Sequence, residues 1–198
     1  MTDVLAFLGS PRKGGNSEEL LMAMLRGVEA AGGLAELIRL CDLRIEPCLS
    51  CGGCDHTGKC VIEDDMGLLY EKIIKTDRII LASPIFFYGV TAQAKAFIDR
   101  TQALWNRKKL LKEKGEWQNQ PGRNGFFISV AATHGSRVFE GAVLTMKYAF
   151  DAMDMHYAGD LLVRGIDKRG EMKRADRDLA AAEEAGKNFF LNRKSHVD

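Results

Sequence analysis

Val4-Leu5-Ala6-Phe7-Leu8-Gly9-Ser10-Pro11-Arg12-Lys13-Gly14-Gly15-Asn16-Ser17 is the stretch on which the fold turns. Its first half is a short apolar run ending in glycine, the pattern of a strand buried on both faces. Its second half is a loop of turn-forming residues. Asn16 or Ser17 can cap a helix, and Glu19 stands three residues past Asn16 as in a capping box. Leu20, Met24 and Val28 then fall on one helical stripe with Leu21 and Leu25 beside it, and Gly32-Gly33 ends the run.

Working outward, the same alternation recurs. Leu34 to Leu40 mixes polar and apolar positions, which suits a strand nearer the sheet edge. Asp64 or Asp65 caps a helix carrying Met66, Leu69, Ile73 and Ile74. Ile79-Ile80-Leu81-Ala82 is a third strand, and its exit, Ser83 to Gly89, is unusually apolar for a loop. A helix resumes near Thr91 and presents Phe97, Ile98, Thr101 and Trp105. Asn106 to Asn124, with five Lys/Arg before Gly115, breaks the pattern and reads as a surface insertion. Gly125 to Ala131 is a fourth strand, Val138 to Met153 a helix, and Leu161-Leu162-Val163 a short fifth strand. A last alanine-rich helix, Ala175 to Asn192, ends in a polar tail. Short buried strands alternating with amphipathic helices predict one α/β domain over 1–198, with the flavodoxin-like doubly wound parallel order 2-1-3-4-5.

Composition narrows the function classes. With 28 basic and 27 acidic residues the net charge is +1, which excludes a basic nucleic-acid-binding face. No apolar run approaches the roughly 18 residues a membrane span needs. The start carries no signal-peptide pattern, so a cytoplasmic location is expected. Five cysteines then belong to a reducing compartment, and four of them fall between positions 48 and 60.

In doubly wound sheets ligands bind outside the carboxyl ends of the strands, at the switch point. Gly9–Ser17, Pro84–Gly89 and Ala132–Arg137 all belong there, and Thr133 in the last segment is a candidate cofactor contact. Backbone N–H groups at a helix N-terminus form an anion site, to which the first loop adds hydroxyl, amide and guanidinium donors. The loop is not of the Walker type, because no lysine directly precedes Ser17. A plain strand–helix connection is the alternative. Phe86, Phe87 and Tyr88 could face a flat heteroaromatic ring, or the two phenylalanines could pack beneath the loop. A phosphate cradle beside a ring platform suggests a mononucleotide, with flavin favoured.

Cys48, Cys51, Cys54 and Cys60 have the spacing C-x2-C-x2-C-x5-C, wrapped in glycines. Four thiolates suit an iron–sulfur cluster or tetrahedral zinc, and the C-x2-C-x2-C run is the ferredoxin-like one. His56 could replace one thiolate, and Lys59 with the N–H groups of Gly52 and Gly53 could offset their charge. Free thiols or an exchanging pair are the remaining alternative. Cys41 stands apart and reads as a small buried apolar residue.

These residues resemble the iron–sulfur flavoproteins of the flavodoxin-like NADPH-dependent FMN reductase superfamily, over about the first 135 residues. The carriers are Gly-Ser-Pro-Arg at 9–12 with Asn16-Ser17, the cysteine motif at 48–60, Asp64-Asp65-Met66, and Ser83-Pro84-Ile85 with Tyr88-Gly89. The resemblance implies FMN, with Ser10, Arg12, Asn16 and Ser17 on its phosphate and Pro84, Ile85, Phe86, Phe87, Tyr88 and Gly89 on its ring. It also implies a 4Fe–4S cluster on Cys48, Cys51, Cys54 and Cys60, a homodimer or homotetramer, and NAD(P)H or ferredoxin as electron donor. His134, near the fourth strand's end, would touch the ring edge or make a structural hydrogen bond. A cluster-free NAD(P)H-dependent FMN or quinone reductase, with idle or zinc-binding cysteines, is the alternative, and a non-catalytic binding protein with a zinc-stapled loop is a second.

Overall fold

Successive residues of a strand point to opposite faces, and β1 (Val4–Leu8) is buried on both. Leu5 and Phe7 enter one core with residues of α2 (Met66–Lys75), α3 (Ala92–Arg100) and α5 (Glu140–Ala152). Val4, Ala6 and Leu8 enter the other with α1 (Asn16–Ala30) and α6 (Asp176–Leu191). Phe7 stacks on Phe97 with centroids 4.5 Å apart, and each buried side chain of that size contributes about 2–3 kcal/mol. The structure is a computed structural model describing residues 2–192; the polar tail expected after Asn192 lies outside the described residues.

The sheet is parallel throughout, in the order β2-β1-β3-β4-β5, so the doubly wound flavodoxin-like order expected from the sequence is found. β3 (Arg78–Pro84) and β4 (Asn124–Ala131) are buried central strands, whereas every residue of the edge strand β2 (Ala35–Arg39) is half-buried. No helix among the described residues is long and apolar enough to cross a membrane.

Three expectations change. The fifth strand, β5 (His156–Arg164), is longer than Leu161–Val163, because its first half alternates exposed and half-buried positions and lacks an apolar run. Residues 106–124, expected to break the helix pattern, begin as helix: α4 (Gln102–Glu113) continues through the basic stretch before a turn leads into β4. Lys108 anchors that stretch to Asp151 and Asp154 of the α5 end, and the Trp117 indole N–H donates to Asp154 at 3.1 Å. The start of α1 uses neither Asn16 nor Ser17 as its cap nor Glu19 as a capping box. Gly15 is the N-cap, and Glu18 reaches back to accept the Gly14 N–H at 2.6 Å.

Candidate functional site

The exits of β1, β3 and β4 meet at the carboxyl edge of the sheet, as the topology requires. They enclose a crevice of about 180 Å³ lined by Ser10, Arg12, Asn16 and Ser17 on one side and Pro84, Ile85 and Phe86 on the other. Ile166 and Asp167, which follow β5, complete its wall. Sequence reasoning missed them because an edge strand hidden by alternation hides its exit too. The volume is below the roughly 300–1,000 Å³ that encloses a whole small molecule. The crevice is therefore smaller than a site that closes around a whole ligand.

At the floor of the crevice the N–H groups of Asn16 and Ser17 have no hydrogen-bond partner among the described residues. They open α1 at the positive end of its dipole, where an anion is favoured. Ser10 and Ser17 are buried and Arg12 is exposed. The Asn16 side chain is committed elsewhere: its amide donates to the Lys168 carbonyl at 2.9 Å and accepts from the N–H of Gly170 and Met172. Asn16 therefore offers an anion its backbone N–H, while its side chain fixes the 168–172 segment against the loop. Beneath the loop, burial pushes the Glu18 carboxyl up, but the Arg39 guanidinium and the Gly14 N–H outweigh it and hold it below the usual range.

The second loop turns back on itself. Phe86 and Gly89 exchange N–H···O bonds of 2.9 and 3.0 Å, and between them Phe87 and Tyr88 take φ of 49° and 64°. This is a two-residue turn of the kind that asparagine and glycine normally make. It holds Phe87 fully exposed and Phe86 and Tyr88 more than half exposed, so neither phenylalanine is packed beneath the loop. Thr91 ties the two loops together: its hydroxyl donates to the Gly9 carbonyl and accepts the Ala94 N–H that starts α3. Phe87, Tyr88, Gly89 and Thr133 lie outside the crevice lining, Thr133 on the exposed loop after β4. His134 there is also exposed, against Gly165.

The cysteine loop leaves the edge beside β2 and is closed at its base. Arg44 and Asp65 exchange two hydrogen bonds, of 2.7 and 3.1 Å, and the Glu46 N–H donates to Asp64 at 2.8 Å. The buried guanidinium of Arg100 pairs with Asp64 and donates to the carbonyls of Glu46 and Ile62. Farther out, Gly58 rests on the backbone of Arg107 with φ of +65°, where a side chain would collide. Cys48 and Cys51 are exposed, and Cys54 and Cys60 half-buried; all four thiols are free. Cys54 Sγ accepts a hydrogen bond from Asn106 at 3.1 Å. The Tyr70 hydroxyl is pushed up by its burial and then by neighbouring Cys60. Among the described residues no three metal-ligating side chains meet around a common centre. The fold thus gathers the four thiols into one anchored loop but not onto one point. The donor set suits a soft metal centre, and Asn106, a donor outside the loop, is already turned toward one of the sulfurs. Cys41 is half-buried, not a core residue, and its thiol points to Asp42.

A 106-residue stretch is 41% identical to an iron–sulfur flavoprotein of Archaeoglobus fulgidus, covering 54% of this chain and 48% of that one. A second iron–sulfur flavoprotein, from Methanocaldococcus jannaschii, is 40% identical over 101 residues, 51% of this chain and 52% of its own. The chain spans about half the length of these relatives. A solved NAD(P)H:quinone oxidoreductase from Methanothermobacter marburgensis superposes with a TM-score of 0.69 over 100% of this chain and 99% of that one, at 16% identity, a likeness of fold alone. The model of the NADPH-dependent FMN reductase family matches residues 2–165, the span holding all three crevice loops and the cysteine loop, and the chain belongs to that family.

Proposed function

We propose that the chain is an FMN-dependent oxidoreductase that passes electrons between FMN at the switch-point crevice and a 4Fe–4S cluster on Cys48, Cys51, Cys54 and Cys60. The observation that carries it is the pairing, across one crevice, of unpartnered α1 N–H groups with Phe86, the first residue of an exposed aromatic turn. The Asn16 and Ser17 N–H groups, with Ser10 and Arg12, would hold the phosphate. Pro84 and Ile85 would line the way out, and Phe86, Phe87, Tyr88 and Gly89 would carry the ring, with Thr133 at its margin. Bound there, FMN exchanges electrons singly or in pairs, and a cluster exchanges them one at a time. The chain's residues supply position and electrostatics, and no side-chain acid or nucleophile is needed. NAD(P)H or ferredoxin is the proposed donor, the assembly a homodimer or homotetramer, and the location cytoplasmic.

The separation of the four thiols favours a second reading, a cluster-free NAD(P)H-dependent FMN or quinone reductase. Anaerobic purification followed by assay for FMN, iron, acid-labile sulfide and zinc decides between them. FMN with iron and sulfide in the ratio of a 4Fe–4S cluster is expected. FMN without iron selects the second reading, and failure to bind FMN overturns both.

A further inference from the structure

Asn106 is an asparagine in the interior of α4, where that residue is a poor helix former, and it is 7% exposed. A buried carboxamide has to find partners. Those of Asn106 lie on the cysteine loop: Nδ2 stands 3.1 Å from Cys54 Sγ and 2.9 Å from Asp55 Oδ1. A carboxylate only accepts, so Asp55 fixes the amide with its NH2 group toward the loop. The second N–H is then left for the sulfur. The loop meets α4 independently at Gly58, which rests on Arg107, so the Asn106 contact is not what brings the two together.

We propose that Asn106 is a positioning residue for the electron-transfer centre: aimed by Asp55, it donates an N–H···S hydrogen bond to the Cys54 thiolate and thereby raises the centre's midpoint potential. This rests on Cys54 being a cluster ligand. One-electron reduction of a cluster adds one negative charge, shared with its thiolates. A donor on a thiolate sulfur therefore stabilises the reduced state more than the oxidised one. Asp55 keeps the donor oriented whichever redox state is present.

The test is an EPR-monitored anaerobic redox titration of the full chain and of N106L, N106D and N106Q, with iron and sulfide assayed on each. N106L removes the donor. N106D also places a carboxylate against the sulfur. N106Q keeps the donor on a longer arm. The expected potentials fall in the order wild type, N106Q, N106L, N106D, with altered g values for the last two and iron content preserved. Potentials and g values unchanged in N106L and N106D overturn the proposal while leaving the cluster reading intact. Loss of iron from all three variants, N106Q included, reduces Asn106 to a structural role and overturns it likewise. A wild-type chain that takes up no iron overturns the cluster reading and the proposal together.

Discussion

Arg100 and Asp64 meet edge to edge, Nη1 to Oδ2 at 2.6 Å and Nη2 to Oδ1 at 3.0 Å, with neither side chain exposed to solvent. The same guanidinium holds the Glu46 and Ile62 carbonyls, one on each side of the cysteine segment. The Tyr70 hydroxyl donates to the Arg100 carbonyl at 2.8 Å and fixes the helix end from which the arginine projects. One ion pair thus holds the two ends of the cysteine segment together.

Breaking that pair from one side leaves a buried charge without its partner, which costs about 3–5 kcal/mol. Asp64→Asn and Arg100→Met are each expected to lose that much in urea denaturation, with hydrogen exchange accelerated at 46–62 before the sheet opens.

The pair also sets an acid limit. Burial pushes the Asp64 carboxyl up, but the Arg100 guanidinium and the N–H groups of Glu46 and Met66 outweigh it and leave it below the ordinary range. A carboxyl depressed in the folded state stabilises above its unfolded pKa, and that contribution is lost as pH falls below about 4. Urea midpoints of wild type should therefore drop on acidification through that window. Those of Asp64→Asn should fall less steeply there; parallel curves would mean that other carboxyls set the limit.

Arg123 is a buried guanidinium with no carboxylate hydrogen-bonded to it among the described residues. It donates instead to the carbonyls of Ile73 and Thr76 at the end of α2 and of Met153 and Asp154 at the end of α5. Last-turn carbonyls have no helical partner of their own. At about 1 kcal/mol for each of the four carbonyls released, Arg123→Met is expected to cost roughly 4 kcal/mol. The residue precedes β4, at the edge of the sheet opposite the crevice, so FMN affinity measured by flavin fluorescence should not change.

Gly27 and Gly186 face each other's helix so closely that a Cβ at either would stand 1.9 Å from a backbone oxygen, that of Glu183 or of Met24. Alanine at 27 would gain up to about 1 kcal/mol in helix propensity. Forcing α1 from α6 costs about 3 kcal/mol. Gly27→Ala is therefore expected to lower the thermal midpoint, against the propensity scale.

The two glycines show where sequence reading stops. β1, β3 and β4 were legible because strands buried on both faces are continuous apolar runs. The loop after β1 was legible because its turn residues are consecutive. Arg100 stands 36 positions from Asp64, Asn106 52 from Cys54, and Asn16 more than 150 from the backbone it holds. No local spacing records such pairs. Basic residues between 106 and 124 suggested a solvated insertion for the same reason: the partners of Lys108 lie on another helix.

The aromatic turn separates stability from binding. Phe87 and Tyr88 both occupy the left-handed region, at about 1 kcal/mol or more each for side chains with a Cβ. The double substitution Phe87→Asn with Tyr88→Gly places the residues this turn prefers. It should stabilise the chain by about 2 kcal/mol, read as a higher thermal midpoint. The same change removes two exposed rings, whose stacking on a heteroaromatic is worth about 1–3 kcal/mol per ring. FMN affinity should then fall by roughly thirtyfold or more. A stabilised turn that binds FMN as tightly as before would show that the aromatics do not carry the ring, and the strain at 87 and 88 would need another cause.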